Sequence, residues 1–226
     1  MGKLSKKFEW HFDEYNAMDL WPRTKKTDKK IRERIAYIGK KYRDSAESNF
    51  YHLLGLYAYD LSKWRKKDKE FMEMNFMRAY VQGGQESIGS AKYLCFVLYD
   101  CGKYNSLVSF YENDLKRVTS KKGKKLRSEP EILLIYGLYI CSLIQTKKGS
   151  EKKILVELDR WMRRFDRYDN EGEVCDGAVP VDFLTQIRKL SNIAKVNEFI
   201  GKLTGHAWDF VTCGGHPIPN PQSLPR

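Results

Sequence analysis

Three stretches of this chain stand at a constant offset of 41 residues: Phe50–Tyr57, Ala91–Leu98 and Ile132–Tyr139. Leu53, Leu94 and Ile135 coincide in the repeat, as do Leu56, Val97 and Leu138, while Gly55 matches Gly137 and Phe96 breaks that series. Each stretch reads as a helix that is apolar nearly all round, and such a helix must be covered on several faces. A glycine inside a helix costs about 1 kcal/mol against alanine, so its recurrence predicts a close approach by a neighbour. Equal spacing of elements that cannot hide alone predicts units that stack on one another.

A second helical run follows each stretch. Leu107, Val108, Tyr111, Leu115 and Val118 hold a 3.6-residue stripe, and so do Ile154, Leu155, Leu158, Trp161, Met162 and Phe165. The opposite face of the latter carries Lys153, Glu157, Arg160, Arg163 and Arg164, and Phe71 to Tyr80 is a less regular, methionine-rich version. Each unit therefore reads as a helical hairpin. With Leu54-Gly55, Tyr136-Gly137, Tyr51 and Phe71, the segment from about Asn49 to Phe165 resembles the tetratricopeptide and related helical-hairpin repeats. Its unit is longer than the usual 34 residues of that family, and a longer loop between paired helices accommodates the difference. The expected fold is all-α: one domain over 1–226, a right-stacked α-solenoid of about three hairpins over 46–168, an N-terminal cap over 1–45 and a C-terminal capping helix over 178–205.

In the N-terminal cap, Thr27 is expected to start a helix with Ile31, Ile35, Ile38 and Tyr42 on its buried stripe. Phe8, Trp10, Phe12, Tyr15 and Trp21 crowd the segment before it, as cover for the first repeat or as an aromatic surface for a partner. After the repeats, Pro180 is expected to open a helix with Phe183, Ile187, Leu190 and Ala194 on one side. The tail over 212–226, with Pro217, Pro219, Pro221 and Pro225, should be extended and flexible.

The longest apolar run, Ile132 to Cys141, is far short of the roughly 20 residues of a spanning helix, so no membrane insertion is expected. MGKLSKKFEW lacks the pattern of a secretory signal. Five scattered cysteines, three of them in apolar runs, suit a reducing compartment, and cytoplasm is the expected location. The net charge of +12 favours acidic partners. Lysines (27) outnumber arginines (14), and lysine serves solubility as readily as recognition.

The basic clusters are Arg65, Lys66 and Lys67, Lys147 and Lys148, and the run Lys121, Lys122, Lys124, Lys125 and Arg127. The first two belong on one edge of stacked hairpins and the third on the opposite edge, which reads as solvated loop tips more readily than as one phosphate-tracking face. His206, Cys213 and His216 are too few and too loosely placed for zinc, and His11 and His52 have no partner by spacing. Counted from Asp166, the sixth and twelfth positions of a calcium loop hold Glu171 and Gly177 in place of glycine and glutamate. No phosphate loop, nucleophile elbow or zinc-protease motif occurs. The expectation is a non-enzymatic protein without cofactor or metal.

The family resemblance implies a groove formed by the first helix of each repeat. Its positions here are Asn49, His52, Tyr59, Ser90, Tyr93, Asp100 and Glu131, a mixture of tyrosine and polar groups suited to a protein partner with an acidic surface or segment. Alanine at His52 together with Tyr93 is expected to weaken binding and leave the chain folded. Nucleic-acid binding through the lysine-rich loops, or an inhibitor or adaptor occupying an acidic partner surface, are the alternatives.

Overall fold

The computed structural model describes residues 6–18, 23–83, 88–116, 129–170, 179–180, 182–204, 210–211 and 217–218. The described residues are helical apart from the connections and one antiparallel pairing, β1 (Phe210–Val211) with β2 (Pro217–Ile218). The chain forms two compact units, 1–97 and 98–226, with the boundary inside one helix.

The first unit starts with α1 (Lys6–Ala17) and α2 (Lys25–Lys41), followed by α3 (Ser48–Tyr59), α4 (Lys66–Gly83) and α5 (Ile88–Asp100), in which the boundary falls. The cap of α2 lies three residues before the expected Thr27. Thr24 is the cap, its backbone N–H bonds the Thr27 hydroxyl at 2.7 Å, and Thr27 N–H returns the bond at 3.3 Å. This reciprocal capping satisfies two donors that an uncapped helix leaves open. The expected stripe holds: Ile31 and Ile38 are fully buried, with Ile35 and Tyr42 packed at the edge of the same core.

α3 is closed on every side from Leu53 to Tyr59, as its apolar circumference requires. Ser48, at its start, donates to the Ala79 carbonyl near the end of α4 at 2.7 Å, so the two helices run antiparallel as a hairpin. Gly55 is where they meet: a Cβ there would lie 2.5 Å from the Phe76 ring. α1 and α2 cover α3 from outside through Phe8, Phe12, Tyr15 and Ile31. The connection between α3 and α4 is tied to this cover. Asp60 accepts from Tyr15 and from Arg23 (2.6 Å), and Asp28 accepts from the Ser62 amide (2.8 Å) and hydroxyl (2.7 Å).

The second unit contains α6 (Tyr104–Phe110), which runs on as a π-helical turn over Tyr111–Leu115, then α7 (Glu129–Thr146), α8 (Glu151–Asn170), α9 (Phe183–Ile187) and α10 (Ile193–Thr204). Gly102, with φ +68°, turns the chain into α6, a conformation glycine adopts without strain. α7 packs against α6, α8 and α9 and is buried from Ile132 to Ile144. Trp161 of α8 donates to the Leu133 carbonyl at 2.8 Å. Of the two stripes read from the sequence, Leu107, Val108, Tyr111, Leu115, Ile154, Leu158, Trp161, Met162 and Phe165 are buried, while Val118 lies outside the described residues.

Two expectations need correction. The helix expected from Pro180 is divided into α9 and α10. The Asn192 side chain accepts from the Lys195 amide at 3.1 Å and starts α10, while the Ser191 hydroxyl and Asn192 amide bond Glu151, so of the four expected positions Phe183, Ile187 and Leu190 are buried and Ala194 is exposed. Glu157, expected on the polar outer face of α8, is buried and accepts from the Tyr136 hydroxyl and from Arg160 at 2.8 Å. A buried carboxylate persists only where such partners hold it. Gly137 makes room for the Pro180 ring, which a Cβ would meet at 2.7 Å, and so serves the C-terminal segment, unlike Gly55 in its own hairpin.

Candidate interaction surface

Four of the seven groove positions come together in the first unit, and they face one another. His52 Nδ1 lies 2.8 Å from the Ser90 hydroxyl. The His52 ring is stacked by Phe12 (6.2 Å between centroids) and met edge-on by Phe76 (5.8 Å) and Tyr93 (5.9 Å). Tyr93 in turn touches Tyr59 at 5.1 Å and stacks on Phe76 at 5.3 Å. Tyr59 and Ser90 are buried, and His52, Tyr93 and Asn49 are half-buried. Enclosure penalises a charged imidazole, and Lys92 nearby adds to the penalty, so the pKa of His52 is pushed down to about 4. The ring is therefore neutral at physiological pH, and its Nδ1 shares a hydrogen bond with the Ser90 hydroxyl. Removing the His52 and Tyr93 rings would open space among Phe12, Tyr59 and Phe76, so that pair of substitutions does not separate binding from folding. Asp100 is exposed at the end of α5, and Glu131 is half-buried in α7.

The basic positions divide differently. Arg65, Lys66 and Lys67 are exposed at the start of α4, and Arg65 also contacts Asp68 at 3.1 Å. Lys147 and Lys148 are exposed in the turn between α7 and α8, where Lys147 has φ 52° and Gly149 φ 100°. Lys121, Lys122, Lys124, Lys125 and Arg127 lie outside the described residues, as do His206, Cys213, His216 and Cys175. Among the described residues no group of three or more His, Cys, Asp or Glu is placed to hold a metal ion, and no helix is long and apolar enough to cross a membrane.

The widest departure from the sequence reading is on α4. Its inner face buries Met72, Phe76 and Ala79 against the core. A second apolar row, Met74, Met77 and Val81, points outward with exposures of 43%, 36% and 68%. These positions recur at i, i+3 and i+7, one side of a helix. Exposed Lys67 and Arg78 flank the row, and Arg78 sits 5.5 Å over the Tyr51 ring. The signal was present in the sequence as the irregularity of Phe71 to Tyr80, which is the sum of two apolar stripes on opposite sides of one helix.

In the second unit, an open hollow of about 540 Å³ is lined by Glu151, Lys152, Leu155, Val156, Asp159, Ser191 and Asn192. Its polar groups already serve the fold, since Glu151 holds Ser191 and Asn192, and Asp159 holds Lys195 at 3.2 Å. No family model, curated protein or solved structure matches this chain.

Proposed function

We propose that this chain is a non-catalytic, cytoplasmic helical-repeat protein of tetratricopeptide type that binds a protein partner with an acidic segment. The observation that carries this reading is the outward row of Met74, Met77 and Val81 on α4, with Lys67 and Arg78 beside it. Exposed apolar side chains aligned along one helix face mark contact surfaces. Methionine suits such a surface because its flexible, polarisable chain fits more than one partner shape. The flanking cations, with Arg65 and Lys66 at the helix start, favour a partner whose apolar face is bordered by carboxylates. Protein binding through the first helices is expected only to the extent that Asn49, Asp100 and Glu131 reach solvent, because Tyr59 and Ser90 are covered.

The test is affinity capture from the native cells with the full chain and with a Met74→Glu/Met77→Glu variant, each with and without nuclease. A protein retained by the wild type after nuclease treatment and lost with the variant supports the reading. Equal capture by both chains, or loss of capture after nuclease, overturns it. Both substitutions are at exposed sites, so the variant should melt within about 1 kcal/mol of the wild type.

A further inference from the structure

The outer side of the N-terminal cap has a different character from α4. On α2, Lys26, Lys30, Tyr37 and Lys41 fall at i, i+4, i+11 and i+15, one row along the exposed side of the helix. At 1.5 Å per residue the row is about 22 Å long. Tyr37 is 45% exposed, and Trp10 on α1 is 58% exposed. The Arg34 guanidinium joins them, 5.2 Å from the centre of the Trp10 ring and 4.9 Å from that of Tyr37. Arg34 is itself held by Glu14. Lys41 lies over the Tyr37 ring at 5.5 Å. The hydroxyls of Tyr37 and Tyr42 hold its ammonium above the ordinary lysine range, so it is charged at every physiological pH. Glu33, the carboxylate on this row, is drawn aside toward Lys29 at 3.9 Å.

From this arrangement we infer a second binding activity: the face of α1 and α2 bearing Trp10, Tyr37 and the lysine row takes single-stranded nucleic acid. Trp10 and Tyr37, each about half exposed and held by one arginine, offer ring surface on which bases stack, and such stacking is available only where bases are not already paired. The lysines spaced by turns of α2 follow a phosphate backbone. Trp10 and Tyr37 are the large apolar side chains exposed among the described residues of α1 and α2, while Ile31 and Ile38 face inward. A helix lying in a membrane surface buries a broad apolar face along its length, and here Trp10 and Tyr37 are the two large apolar side chains exposed among the described residues of these helices. An acidic peptide would satisfy the lysines and leave the rings unused.

The test is fluorescence anisotropy of a labelled twelve-nucleotide polythymidine strand, as DNA and as RNA, titrated with the full chain at 50 and 200 mM salt. Binding should weaken steeply with salt. Trp10→Ala and Tyr37→Ala should each weaken it roughly 5- to 100-fold, and Lys26→Glu/Lys30→Glu should weaken it and flatten the salt dependence. All these positions are exposed, and unchanged thermal melting of the variants checks that the fold is intact. Four results would overturn the inference: wild-type affinity in both aromatic variants, a duplex of the same length bound as tightly, displacement by polyglutamate at equal charge, or binding to phosphatidylserine vesicles without binding to the strand. Because Met74 and Met77 are not on this face, the Met74→Glu/Met77→Glu variant should bind the strand as the wild type does, which keeps the two activities separable.

Discussion

Arg32 grips Asp68 with both terminal nitrogens, at 2.8 and 3.0 Å, and so fastens the cap helix α2 to the first turn of α4. Asp68 also accepts the Arg65 amide at 2.9 Å, which caps α4. Asp68→Ala loses both functions and should destabilise the first unit by about 1–3 kcal/mol. The measurement is the urea midpoint, and an unchanged midpoint would show that the pair contributes nothing to the fold.

The same carboxyl sets an acid limit. Hydrogen bonds from Arg32, then from Arg65, hold it well below the usual carboxylate range despite its burial. Its folded-state pKa is depressed, so its stabilisation is complete above the ordinary carboxylate pKa of about 4 and is lost as pH falls below that. Acid unfolding of Asp68→Asn should therefore be shallower than that of the wild type in this window, as circular dichroism across the acid range would show.

His52 acts in a neighbouring window. With its pKa pushed down to about 4, the unfolded chain binds the proton first as pH falls from about 6.5. Stability should decline from there toward pH 4, by at most about 1.4 kcal/mol for each pH unit. Proton NMR should give His52 a midpoint near 4, and a midpoint near 6.5 would mean that the ring is open to water. Ser90→Ala, which leaves Nδ1 without its hydrogen-bond partner, should cost about 1–3 kcal/mol.

Glycine substitutions should divide by position. At Gly55 an added methyl meets the Phe76 ring at 2.5 Å, and at Gly137 it meets Pro180 at 2.7 Å, so alanine should destabilise at both by about 1–3 kcal/mol. At Gly39, in α2, nothing lies within 4 Å, and alanine should stabilise by about 0.5–1 kcal/mol. Differential melting of the three variants would test this ordering, and a stabilising Gly55→Ala would contradict the tight contact between α3 and α4.

Buried Glu157 depends on Tyr136. Burial, then the bond to Glu157, push the Tyr136 phenol far above its ordinary range. Tyr111 stacks against the same rings, 4.1 Å from Tyr139 and 5.4 Å from Tyr136. Tyr136→Phe should cost the second unit about 1–3 kcal/mol by removing the donor from a buried carboxylate. Alkaline titration followed by ultraviolet absorbance should show fewer phenols ionising before unfolding than the chain's 14 tyrosines.

The helices themselves were legible in the sequence. Leu53 to Tyr59 and Ile132 to Ile144 have no polar side to turn to water, so helix and burial follow from composition within one turn. The stripe through Ile31 and Ile38 was legible for the same local reason. Tertiary structure alone decided the rest, because it depends on which distant groups meet. His52 had no partner by spacing, and Ser90 reached it from a helix 38 residues away. Glu157 sat on a polar face by periodicity and was buried because Tyr136 supplied a proton donor. Met74 and Phe76 are both apolar and two positions apart, and only the packing of α3 against one side of α4 determined which would enter the core and which would point outward.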